Sequence, residues 1–143
     1  MRSIPSWALF AFGSAFFAGL TALFAKLGVS GINSNFATFI RTLVILGVTA
    51  GILSLRGEWQ RFSSVTVHTW IFLLLSGLAT GLSWLCYFRA LQLGPLSRVA
   101  PLDKLSIVFA LAFGFLFLRE ALNWQALVGV TLIVSGSLVL LLS

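Results

Sequence analysis

Charge is what this chain of 143 residues has least of: 8% of its residues are Asp, Glu, Lys or Arg, against 59% that are hydrophobic, and the mean hydropathy is +1.09. A soluble domain carries about 25% charged residues because its surface must stay polar. A water-soluble fold is therefore excluded. Acids are the scarcest class, three against nine basic residues, for a net charge of +6 and a pI near 11.3. In a soluble protein that balance would suggest nucleic acid, but here the basic residues are scattered along the chain rather than clustered on one face. No nucleic-acid partner is expected. Cysteine occurs once, at Cys86, which rules out an internal disulfide, and the lone His68 has no Cys or His neighbour to build a zinc set. No metal or cofactor is expected. Because His68 falls at an expected helix start without a partner, a serine-type intramembrane hydrolase would lack its base, and an enzyme is not expected either. The opening Met1, Arg2, Ser3 leads straight into an apolar run with Trp7 and many Phe, without the small-residue cleavage pattern of a secretory signal. That run is read as a retained first helix.

What the chain does have is five apolar stretches, each about the roughly 20 residues that cross a bilayer, separated by breaks rich in Gly, Pro, Asn and Arg. The expected architecture is all-α: one polytopic membrane domain over residues 1–143, with helices at about 5–27, 35–55, 68–91, 96–118 and 124–142. Pro5 suits a first turn, the segment GVSGINSN at residues 28–35 has turn composition, and Gly94 with Pro95 forms a helix stop. RGEWQRFSSVTV at residues 56–67 is the longest polar stretch and is expected as an interfacial loop. The fourth helix starts either near Leu96 or at Pro101. In the first case Pro101 breaks the hydrogen-bond ladder and frees the Ser97 carbonyl inside the membrane; in the second it occupies the first helical position. Trp7, Trp59, Trp70 and Trp124 fall at expected ends or in loops, and by alternation of crossings all lie on one membrane face. Pairs of small residues four apart occur in every helix: Ala15/Gly19, Gly47/Gly51, Gly77/Gly81, Ala110/Gly114 and Thr131/Ser135. Such grooves let backbones approach, so a compact bundle is expected.

Charges within the apolar runs are the candidate functional residues, because burying one in lipid costs several kcal/mol unless it snorkels, pairs or faces water. They are Lys26, Arg41, Arg89, Asp103 and Lys104. Lys26 and Arg89 lie near enough to helix ends to snorkel. Adjacent residues on a helix point in different directions, so Asp103 and Lys104 are not expected to pair. Asp103 should instead find Arg41, Lys26 or Arg89 on another helix. On the second helix Asn35, Thr38, Arg41, Thr42 and Thr49 fall within about a third of the circumference, and on the third Trp84, Tyr87 and Phe88 share a face close to Arg89. A polar stripe and an aromatic cluster facing one cavity would form a substrate pocket. The expected substrate-binding set is Thr38, Arg41, Thr42, Trp84, Tyr87, Arg89 and Lys104. Asp103 and Lys26 are expected in coupling or ion pairing, and Pro101 as the helix break. The excess of cations points to an anionic or zwitterionic small molecule.

The segment YFRALQLGP at residues 87–95, then Pro101, then a Phe- and Leu-rich helix ending in Arg119, Glu120, Ala121 and Leu122, resembles the EamA-type domain of the drug/metabolite transporter superfamily. So does an aromatic, Gly-rich first helix ending FAK before an Asn-containing turn, followed by Arg41 in the second helix. The resemblance spans essentially the whole chain. It implies one five-helix half of an inverted-repeat secondary transporter, with alternating access in an antiparallel homodimer or a heterodimer with a related half, in a bacterial inner membrane among its lipids. Helix 1 lacks the carboxylate of four-helix multidrug exporters, which leaves Asp103 as the coupling candidate and Glu120 as a structural residue. Counting Arg2, Arg56, Arg61 and Arg119 on the N-terminal face against Lys26, Arg89 and Arg98 on the other gives the small bias of a dual-topology protein; counting Arg98 alone there puts the N-terminus in the cytoplasm. The function expected is transport of a small organic metabolite that is anionic, zwitterionic or lipid-linked; the alternative is a non-transporting membrane scaffold or accessory subunit.

Overall fold

In the computed structural model, residues 5–121 and 123–142 are described, and among them every regular element is helical. Arg2, Leu122 and Ser143 lie outside the described residues. Six α-helices follow in order: α1 (Ser6–Gly28), α2 (Ser34–Arg56), α3 (Val67–Leu93), α4 (Leu96–Asp103), α5 (Ser106–Leu118) and α6 (Trp124–Leu142). A single 3-10 turn, Phe62–Ser64, interrupts the loop between α2 and α3. Five stretches are long and apolar enough to cross a membrane, α4 and α5 together making one, Leu96–Leu118. The protein is a multi-pass membrane protein.

Local chemistry sets the ends of these helices. Asn33 caps α2: its Oδ1 accepts from the amides of Asn35 (2.8 Å) and Phe36 (3.4 Å), so α2 begins at Ser34. At its other end Gly57, at φ 65°, takes the left-handed conformation that a residue with a Cβ resists, and its amide returns to the Leu53 and Ser54 carbonyls. Pro95 precedes α4, where its missing N–H costs no hydrogen bond.

The start of the fourth span is thus at Leu96, with Pro101 inside α4, but the break does not fall at the proline. It comes at Lys104 and Leu105, between α4 and α5. There the amides of Lys104, Leu105, Ile107 and Val108 reach back three residues, to the carbonyls of Pro101, Leu102, Lys104 and Leu105, at 3.0–3.1 Å. Proline's fixed φ fits a helix while its missing N–H withdraws a donor from Ser97, and the ladder downstream tightens to 3-10 spacing.

The chain divides into two compact units, Lys26–Gln92 and the remainder. In the remainder α4 packs against α6. There, too, α5 ends in an uncommon way: Arg119 adopts φ 54° without being glycine, and the amides of Arg119 and Glu120 both bond to the Gly114 carbonyl. The Glu120 carboxylate folds over Gly114, with Oε2 2.9 Å from where a Cβ would sit, so the position has room for glycine alone unless that side chain moves.

In Lys26–Gln92 the buried side chains gather at one end, where the 29–33 turn meets the last turns of α3: Val29, Ser34, Ala37, Thr38, Phe88 and Leu91, the last with no exposed surface. The two glycine pairs of this unit, Gly47/Gly51 and Gly77/Gly81, do not sit at a helix crossing. A Cβ on Gly47, Gly51, Gly77 or Gly81 would meet nothing within 4 Å. In place of a crossing, Gly77 and Gly81 line an open trough of about 460 Å³ on α3 with Leu73, Leu74, Leu78, Leu82 and Leu85.

Candidate substrate site

Arg41 on α2 is the centre of the arrangement. Its guanidinium carbon lies 4.0 Å from the centroid of the Trp84 ring and 5.4 Å from that of Phe88, both on α3. Trp84 and Phe88 are four residues apart, so one helical turn of α3 presents both rings to the same cation. Phe88 is 3% exposed and fixes this wall; Arg41, Trp84 and Tyr87 are half-buried. A guanidinium lying against ring faces gains about 2 kcal/mol when desolvated. The planar group keeps its in-plane N–H donors for a bidentate contact with a carboxylate or phosphate. Among the described residues Arg41 makes no ion pair, since the acidic side chains found in pairs are Glu58, 3.6 Å from Arg56, and Asp103.

The other expected site residues are distributed differently. The Thr38 and Thr42 hydroxyls donate to carbonyls of their own helix, at Ser34 (2.9 Å) and Thr38 (2.8 Å), and Thr49 does the same to Ile45 and Leu46. The hydroxyl hydrogens of these threonines are thus spent within α2, because a threonine in a low-dielectric helix bonds the carbonyl one turn back, while their oxygens keep lone pairs that can accept. Asp103 does not seek a cation on another helix: its Oδ2 is 3.7 Å from Lys104 Nζ, with both side chains well exposed. The expectation that these neighbours diverge assumed 100° per residue, and the interruption at Lys104 removes that geometry.

Lys26 and Arg89 join a second group at the end of α3. Lys26 Nζ donates to the Leu91 carbonyl, one of the last carbonyls of α3, which have no partner within the helix. Arg89 Nη1 donates to Gln92 Oε1 at 3.1 Å, and Gln92 Nε2 donates in turn to the carbonyls of Val29 and Ile32. Gln92 was not singled out in the sequence, although it stands three residues from Arg89 within YFRALQLGP. Phe88 was recognised as part of the aromatic face but not as a ring against Arg41; its four-residue spacing from Trp84 was the available signal.

Comparison with known proteins agrees with this architecture. Over 135 residues, 94% of this chain and 96% of the relative, it is 59% identical to a Sinorhizobium sp. protein described as an uncharacterized transporter in the cobO 3' region. Over 70 residues, 48% of this chain and 55% of the relative, it is 44% identical to a probable 4-amino-4-deoxy-L-arabinose-phosphoundecaprenol flippase subunit ArnF of Erwinia tasmaniensis. No solved structure matches significantly. The model of the EamA-like transporter family matches residues 5–142, and the chain belongs to that family.

Proposed function

We propose that this protein is one subunit of a secondary transporter that moves a small organic anion or zwitterion, free or lipid-linked, by alternating access in a dimer of bacterial inner-membrane subunits. The observation that carries this reading is Arg41: a half-buried cation in a membrane-spanning helix, held by two aromatic rings and matched by no carboxylate among the described residues. A charge kept at that depth is supported by a function that uses it. The ring contacts hold the guanidinium in place while leaving its hydrogen-bonding edge for an anionic group.

Two further facts support a partner and a lipid-linked cargo. A Cβ on the paired glycines of α2 and α3 would meet nothing within 4 Å among the described residues, which suits a second subunit approaching there. The ArnF relative is named as a flippase subunit for a phosphoundecaprenol-linked aminosugar, a lipid carrying both phosphate and amine. Five crossings leave the termini on opposite sides, so an antiparallel homodimer needs dual topology, and a heterodimer needs a related half of opposite orientation.

Two measurements test the reading. Reporters fused after Ser143 should give signal on both sides of the membrane for a homodimer and on one side for a heterodimer. In cells lacking or overproducing the protein, the distribution of small anions and polyprenyl-linked anions across the membrane should shift. Arg41→Gln should reduce that shift about ten-fold, the worth of one charge-assisted contact. Transport unchanged in Arg41→Gln at equal abundance removes Arg41 from the site and defeats the proposal.

A further inference from the structure

We infer that the hollow lined by Lys26, Ser30 and Gln92, with Arg89 hydrogen-bonded to Gln92, is a phosphate-binding site at headgroup depth, separate from the Arg41 site. The hollow measures about 450 Å³ and is lined by Lys26, Val29, Ser30, Gly31, Leu91 and Gln92. Its floor is fixed, since Val29 is 2% exposed and Leu91 not at all. Its rim is polar and rich in donors. A lysine ammonium offers three N–H donors and an arginine five, while the Ser30 hydroxyl adds another.

Gln92 works as a fixed bracket. Its Nε2 is held by the Val29 and Ile32 carbonyls and its Oε1 receives Arg89 Nη1, so both ends of the amide are used to hold Arg89 beside the hollow. One Arg89 N–H is spent on that bond, and the residue is exposed. Lys26 is held in the same way, against the Leu91 carbonyl at the edge of the hollow. One cation thus lines the hollow and a second is bonded to a glutamine of its lining, and the lining contains no acid. The chain's three acids are engaged elsewhere: Glu58 with Arg56, Asp103 with Lys104, and Glu120 over Gly114.

Depth selects the ligand. The hollow lies where α1 ends, α2 begins and α3 ends, so it faces one membrane–water interface, the layer that holds lipid phosphates. A tetrahedral phosphate accepts from several donors at once and matches this set better than a carboxylate does. The same chemistry serves a phospholipid headgroup or a soluble phosphate ester.

The test uses the full chain purified in detergent and three probes: phosphatidic acid, diacylglycerol with the same acyl chains, and inorganic phosphate. Phosphatidic acid should bind and diacylglycerol should not, as read by native mass spectrometry. Arg89→Gln should weaken phosphatidic acid binding about ten-fold. Lys26→Gln should do the same, with Lys26→Arg restoring it, while Arg56→Gln at the opposite end should have no effect. Arg89 is exposed and its variant keeps the Lys26–Leu91 bond, so an unchanged thermal unfolding midpoint separates lost binding from lost fold. Displacement of phosphatidic acid by inorganic phosphate identifies a site for soluble phosphates, and its failure to displace identifies a lipid site. Equal binding of phosphatidic acid and diacylglycerol, or full binding by both Arg89→Gln and Lys26→Gln, overturns the inference. Because Arg41 takes no part, these results are independent of the outcome of the transport assay.

Discussion

The two ends of the α2–α3 pair are closed in opposite ways. At the 29–33 end the fastenings join residues 60–65 positions apart: Lys26 to the Leu91 carbonyl, and Gln92 to the carbonyls of Val29 and Ile32. At the 57–66 end they are local. Trp59 Nε1 donates to Ser54 Oγ at 3.0 Å, the Ser64 hydroxyl to the Arg61 carbonyl at 2.7 Å, Thr66 and Thr69 share a hydrogen bond of 2.9 Å, and Arg56 faces Glu58. Burial follows the same division. Leu91 and Val29 are shut away at the first end, whereas Trp59 is 59% and Phe62 74% exposed at the second. Bonds between distant segments shed water and hold two helices in register, while local bonds shape a loop without fixing what it packs against. The first end is therefore the rigid one, with the Arg41 cage one to two turns further along α2 and α3.

Leu91→Ala should break this contrast most severely. Removing a fully enclosed leucine costs about 2 kcal/mol, the low end of the usual range because lipid solvates apolar side chains in the unfolded reference too. Leu78→Ala, at 66% exposure, should change stability by less than about 0.5 kcal/mol. Reversible unfolding in mixed micelles measures both, and equal losses would show that the ends do not differ in packing.

Gln92→Leu comes next. It removes two donated bonds and one accepted bond and leaves the Val29 and Ile32 carbonyls short of a donor, for about 1.5 kcal/mol. Hydrogen exchange at residues 29–33 should rise in this variant, while exchange at 57–66 stays unchanged. Glu58→Gln should have the smallest effect, below about 0.5 kcal/mol, since its ion pair with Arg56 is exposed at both partners. The same unfolding assay with and without added salt checks it; a larger, salt-sensitive loss would mean that the local end is held more firmly than its exposure suggests.

The local end was largely readable in advance. A polar run with Trp59, Gly57 and closely spaced Ser and Thr has the composition of an interfacial loop, and its bonds join residues two to five apart in sequence. The rigid end was not. Lys26 and Arg89 stood out as charges near helix ends, but nothing in their spacing indicates a backbone carbonyl on another helix or a glutamine as intermediary. Asp103 misled for a related reason: its direction depends on whether the helix continues past Lys104, and Pro101 displaces the break rather than locating it. The glycine pairs were visible as small residues four apart, yet spacing alone does not say whether the neighbour is in the same chain.

By itself the sequence determined the five membrane spans, the cap at Asn33, the left-handed Gly57 and the family, because each depends on composition or on groups within a turn or two of one another. Tertiary structure alone decided that Arg41 lies against Trp84 and Phe88, that Lys26 closes the end of α3, and that Gln92 holds Arg89 beside a polar hollow. Those outcomes depend on which faces of separate helices meet. In an apolar chain, hydrophobic periodicity carries little of that information, since lipid accepts nearly any face turned toward it.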